Sequence, residues 1–124
     1  MSTLLTELGL LSFEEYESKF QHWVQEQQTS SANPTSQLIE FTKLNWIRSQ
    51  RIKKTVSLNP ALLEEVAKLK YNYTWIVVTE AWCGDSAQNL PVIAAIANSN
   101  PEKIKLFIML RDENPEFINN YLTN

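Results

Sequence analysis

Few residue types in this chain of 124 residues can do covalent chemistry: there is one cysteine and one histidine beside 14 acidic side chains. Cys83 stands out by position. It follows an aromatic and β-branched run, Tyr73 to Thr79 (YTWIVVT), and precedes a stretch that reads as a helix from Gly84 or Asp85 to Ala97. A thiol at a helix start faces unpaired backbone N–H groups and the positive end of the helix dipole. Both favour the thiolate, the form that attacks disulfides and peroxides. The carboxyl edge of an open parallel sheet is also where ligands and reactive groups collect. Nucleophilic thiol chemistry at Cys83 is therefore the expectation, and an inert buried thiol is the plain alternative.

The other polar residues carry weaker signals. His22 sits beside Trp23 in a helical stretch, and nothing in the spacing brings it to Cys83, so it reads as a surface or boundary residue. One cysteine and one histidine offer neither a Cys-only zinc site nor a histidine cluster, and no metal or cofactor is expected. An internal disulfide is likewise excluded. With Glu7 interrupting the only N-terminal apolar stretch, no export signal is read, and the reduced thiol points to the cytoplasm. Asp112, Glu113 and Glu116 are placed to cap and charge the last helix. The basic cluster Arg48, Arg51, Lys53 and Lys54 closes a helix, where cations are favourable. A net charge of −3 gives no field for nucleic acid. No apolar run approaches the roughly 18 residues of a membrane span. Gly9 and Gly84 are the only glycines, so there is no phosphate-cradling loop.

The elements that must position Cys83 follow from pattern. Ser12 and Glu15 form a capping box, with Leu11 and Tyr16 placed as a hydrophobic staple. Phe13, Tyr16, Phe20, Trp23 and Val24 make one apolar stripe on a helix near 12–27. Residues 27–34 (QQTSSANP) read as a polar turn. Thr35 or Ser36 then caps a second helix to about Arg51, with Leu38, Phe41, Leu44 and Ile47 expected to face inward. Lys54 to Ser57 is assigned as a short strand. Asn59 and Pro60 open a helix to about Leu69. Lys103 to Leu110 (KIKLFIML) reads as an interior strand, and Asn114-Pro115-Glu116 opens a final helix. The order from residue 53 is β-α-β-α-β-α. It predicts an α/β fold with a mostly parallel sheet of about three strands, flanked by helices and preceded by a helical extension. The expected division is 1–52 for the extension and 53–124 for the sheet-bearing part.

At this point the motif itself becomes informative. Trp82-Cys83-Gly84-Asp85-Ser86, set between a strand and a helix, resembles the active site of thioredoxin-like proteins, usually Trp-Cys-Gly-Pro-Cys. Pro91 falls eight residues after the cysteine, where thioredoxins carry the proline that kinks this helix. The fragment from Thr79 to Ser86, with Leu110 to Asn114 and Tyr121 to Asn124, is similar to a bacterial branch having a helical N-terminal extension and a Cys-Gly-Asp motif. The resemblance implies a partial thioredoxin-like fold, catalysis by Cys83, and Trp82 beside the thiol on the docking surface. It also implies that the chain stops before the half of the fold bearing the cis-proline.

The departures from the family pattern shape the chemistry expected. Ser86 stands where the resolving cysteine belongs, so an internal thiol cannot release a mixed disulfide at Cys83. What remains is monothiol (Cys-x-x-Ser) exchange with a disulfide-bearing protein or small thiol, with glutathione as the class of co-substrate; the alternative is a non-catalytic binding or scaffold module. Asp85 replaces the proline, and a carboxylate beside a thiolate opposes the helix dipole. Val77 occupies the place of a buried aspartate, and the orientation of nearby Glu80 is not legible. In the strand order first-third-second, Tyr73–Thr79 lies at an edge, and its apolar residues predict a homodimer through that edge.

Overall fold

The computed structural model describes residues 9–120. Helix α1 spans Phe13–Gln25, α2 Ser36–Thr55 and α3 Pro60–Ala67; strand β1 spans Tyr73–Thr79, α4 Gly84–Asn98 and β2 Ile104–Leu110. A 3-10 turn over Arg111–Glu113 leads into the short helix α5, Pro115–Asn119. The remainder of the expected final helix, residues 121–124, lies outside the described residues.

The local signals act as their chemistry dictates. The Ser12 hydroxyl accepts from the Glu15 N–H at 3.0 Å and the Glu15 carboxylate accepts from the Ser12 N–H at 2.9 Å, which closes the capping box of α1. The Ser12 N–H, and after it the Ser12 hydroxyl, hold the exposed Glu15 carboxyl below its ordinary range. Asn59 caps α3, with Pro60 in its first turn, and Thr35 caps α2. Pro91 lies buried inside α4, where it removes one helical N–H.

The sheet has two parallel strands, β1 and β2, joined through α4, with Val77 opposite Ile108 and Thr79 opposite Leu110. The expected strand at 54–57 does not form. Lys54 and Thr55 end α2 instead, and the Val56 N–H still reaches back to the Ile52 carbonyl at 2.8 Å. A single β-branched pair after a long helix gains more from continuing the helical ladder than from an isolated strand. Its place beside β2 goes to Leu11, which exchanges two bonds with Ile108 (2.9 and 2.7 Å) in an antiparallel bridge. Among the described residues, β1 is therefore an outer strand.

The residues that alternate toward one face of the sheet, Trp75, Val77, Leu106 and Ile108, meet the core. Tyr16 and Phe20 of α1 pack there with Ala81, Leu90, Ile108 and Leu110. Tyr16 and Phe20 meet edge-on within α1 (centroids 5.6 Å), and a tilted Phe20–Trp46 pair (5.2 Å) ties α1 to α2. A second cluster gathers Val66, Ala97 and Ile104 under Trp75.

Helix α2 reverses the expected orientation. Phe41, Leu44 and Ile47 are exposed, Ile47 at 64%, while Thr42 and Asn45 are buried at 0% and 2%. The inner face of α2 meets polar partners: Asn45 pairs the Ala81 carbonyl of the turn before α4, and Thr42 pairs with Thr29 and the Leu38 carbonyl.

Candidate functional site

Cys83 is the residue that opens α4. Its backbone is extended (φ −82°, ψ 115°), its N–H donates to the Glu80 carbonyl at 3.0 Å, and its carbonyl accepts from Ala87 at 3.2 Å. The thiol is half-buried, unbridged and makes no capping bond of its own. Since β1 ends at Thr79, the turn 80–83 carries the chain from the carboxyl end of the strand directly to the N-terminus of α4.

The motif residues divide between two environments. Cys83, Ser86 and Pro91 line one cavity of about 20 Å³, the size of a single water, together with Tyr16, Phe20 and Glu80. Asp85 is exposed in the first turn of α4 and borders an open groove with Val77 and Asn89, whose Nδ2 donates to the Asp85 carbonyl at 2.8 Å. Trp82 is half-buried, and its Nε1 is buried without a hydrogen-bond partner among the described residues. Gly84 runs close to α2: a Cβ there would lie 4.0 Å from both Arg48 Nη1 and Asn45 Oδ1. His22 is exposed on α1, among the residues that do not line the cavity.

Several residues whose placement pattern reading did not give gather around the turn. Glu80 is 2% exposed. One carboxylate oxygen accepts from the Ser30 hydroxyl and the other from the Asp112 N–H at 2.8 Å. Burial pushes its carboxyl up, the Ser30 and Asp112 bonds pull it back, and the nearby Asp112 and Glu113 charges push it up again. Ser30 Oγ also accepts from the Ala81 N–H at 2.9 Å, and Asn45 Nδ2 donates to the Ala81 carbonyl at 3.2 Å. Thr42 gives its proton to the Leu38 carbonyl (2.8 Å), so Thr29 is the donor in their 2.6 Å hydroxyl pair.

Asp112 does not cap the last helix. Asn114 occupies that position without a side-chain capping bond, its Nδ2 donating instead to the Leu110 carbonyl at 2.9 Å, and Asp112 Oδ2 accepts from the Ala32 N–H at 3.3 Å. The polar segment 29–32 is thus docked on the carboxyl end of the sheet rather than left as a solvated turn. Tyr16, wholly buried, reaches the same place from α1. Burial pushes its phenol up; a bond from Thr79 offsets this in part, and the charges at Glu80 and Cys83 add to the rise.

One signal for the buried polar face was present in the sequence. Thr42, Asn45 and Ser49 recur at helical spacing on α2. Such a stripe is ordinary on a solvated helix, and only the packing of α2 against the turn shows it to be an inner face.

Among the described residues, no group of His, Cys, Asp and Glu is arranged to hold a metal ion, and no helix is long and apolar enough to cross a membrane. A family model described as thioredoxin matches residues 32–124, a span that takes in α2 together with the sheet and α4. No curated protein and no solved structure matches the chain.

Proposed function

The chain belongs to the thioredoxin family, and from that premise we propose that it is a monothiol thiol–disulfide oxidoreductase acting through Cys83. The observation that carries this reading is the placement of the single cysteine at the start of a 15-residue helix, directly after the carboxyl end of a parallel strand. The thiolate attacks one sulfur of a substrate disulfide. A mixed disulfide forms with Cys83 and the second substrate sulfur leaves as a thiolate, taking a proton from solvent. A small thiol of the glutathione class then attacks the mixed disulfide. It releases Cys83 and becomes disulfide-linked to the substrate sulfur. A second small thiol cleaves that disulfide, forming the small-thiol disulfide and freeing the second substrate thiol, so that two electrons pass from two small thiols to the original disulfide.

The Gly84 and Asp85 N–H groups, at the open end of α4, are the donors proposed for the thiolate, with the Ser86 hydroxyl assisting from the first turn. Trp82 is proposed to present the docking surface, and Pro91 to shape the helix beneath it. The reading places the reduced thiol in a cytoplasmic compartment. It also brings two copies together along the outer edge of β1, where Ile76 and Val78 are 36% and 39% exposed.

The test is turnover of a glutathione mixed disulfide with excess reduced glutathione. Cys83→Ser is expected to abolish it, and Ser86→Cys to permit reduction of a protein disulfide without glutathione. Unchanged turnover in Cys83→Ser would refute the reading. A wild-type protein that binds a partner but turns nothing over would make it a scaffold module of the same fold.

A further inference from the structure

Helix α4 holds the Cys83 carbonyl through the Ala87 N–H, and β1 ends at Thr79, so the rest of the cysteine's setting comes from the turn. The turn between them makes one backbone bond of its own to the cysteine, from the Cys83 N–H to the Glu80 carbonyl. The peptide groups on both sides of Ala81 are held from outside, by side chains that lie far earlier in the chain. Ser30 Oγ takes the Ala81 N–H and Asn45 Nδ2 gives to the Ala81 carbonyl.

Both side chains are buried, Ser30 at 9% and Asn45 at 2% exposed. The remaining capacity of the Ser30 hydroxyl is committed as well. The Ser30 proton goes to the Glu80 carboxylate, which leaves the hydroxyl oxygen to accept from Ala81. Asn45 Oδ1 stands 4.0 Å from where a Cβ at Gly84 would lie, so the same amide also borders the first residue of α4. A buried amide in the middle of a helix is costly unless bonded, and here its bond is to the turn rather than to its own helix.

We propose that Ser30 and Asn45 are positioning residues for Cys83: they clamp the Ala81 peptide groups and so set how the thiol stands against the N-terminus of α4. The inference rests on the reading of Cys83 as a reactive thiol. It makes the polar segment before α2, and the inner face of α2, working parts of the site.

The experiment is the rate of Cys83 alkylation by iodoacetamide at pH 7 in the full chain, beside urea unfolding of each variant. Ser30→Ala and Asn45→Ala are each expected to change the rate by at least about threefold. Ser30→Thr, which keeps the hydroxyl, is expected to return it to the wild-type value. Thr42→Val is the control: it removes a buried hydroxyl pair on the same two segments without touching the turn, so it should lower stability and leave the rate alone.

Rates within about 1.5-fold of wild type in both alanine variants would overturn the proposal, since errors of that size correspond to less than one typical hydrogen bond. An equal change in Thr42→Val would overturn it too, because general loosening would then suffice. Should Asn45→Ala fail to fold, the Ser30 pair decides alone. Loss of disulfide turnover in the wild type would sink the oxidoreductase reading and leave this comparison of alkylation rates standing.

Discussion

Helices α1 and α2 carry apolar residues at similar spacing, yet they bury opposite kinds of surface. In α1, Tyr16 and Phe20 of the apolar stripe are buried at 2% and 4% exposure. In α2, Phe41, Leu44 and Ile47 point outward while Thr42 and Asn45 lie inside. The difference lies in what each helix meets. Helix α1 faces the side chains of Ile108 and Leu110, so removing apolar area from water decides its orientation. Helix α2 meets the turn that presents Cys83, where Asn45 pairs the Ala81 carbonyl that an apolar cover would leave unpaired, and Thr42 pairs with Thr29 of the preceding segment. Amphipathic spacing identifies a face, and the neighbour decides whether that face turns in or out.

The sharpest way to break the comparison is in α1. Phe20→Ala removes a ring packed against Tyr16 and Trp46 and is expected to cost about 3–5 kcal/mol in urea unfolding. For a domain of ordinary stability that is a large share of the total. A loss below about 1 kcal/mol would mean that the aromatic cluster is not the anchor of α1.

A smaller effect is expected from the buried carboxylate behind the turn. Glu80 has its carboxyl raised above the ordinary value of 4.5, mainly by burial. The folded state therefore binds that proton more tightly than the unfolded chain does. As pH rises from the ordinary value through the raised one, this group makes wild type progressively less stable, and below that window the penalty is absent. Glu80→Gln cannot ionise and has no such slope. The stability of wild type minus that of Glu80→Gln should fall as pH is raised from about 4.5, and a difference flat with pH would show that the carboxyl is not raised.

The smallest effect belongs to the outer face of α2. Ile47→Ser, at a side chain 64% exposed, is expected to change stability by no more than about 0.5 kcal/mol. A cost near that of Phe20→Ala would mean that this stripe is covered in solution.

What was legible in the sequence follows from the range of the interactions involved. The capping box at Ser12 and Glu15, the cap at Asn59 with Pro60, and the breaks around them act over three or four residues and are written in consecutive letters. The aromatic and β-branched runs of β1 and β2 were readable for the same reason, and with them the location of Cys83 between strand and helix. The misassigned strand at 54–57 and the bridge at Leu11 depend on a competition for the free edge of β2. Leu11 wins it from a distant part of the chain that no local pattern reveals. Glu80 was visible as a residue, but only the arrival of Ser30 and of the Asp112 N–H shows that its carboxylate turns inward.

Sequence alone therefore determined the chemical identity of the site: one thiol, no second cysteine to resolve it, and a strand-to-helix junction that places it at a helix start. Short-range hydrogen bonding and covalent composition are sufficient for that. Tertiary structure alone decided what holds the junction, because the Ala81 peptide groups are satisfied by Ser30, from the segment before α2, and by Asn45 of α2, both distant in sequence. Buried backbone groups must be paired, and the chain supplies those partners from wherever its packing leaves a hydroxyl or an amide facing them.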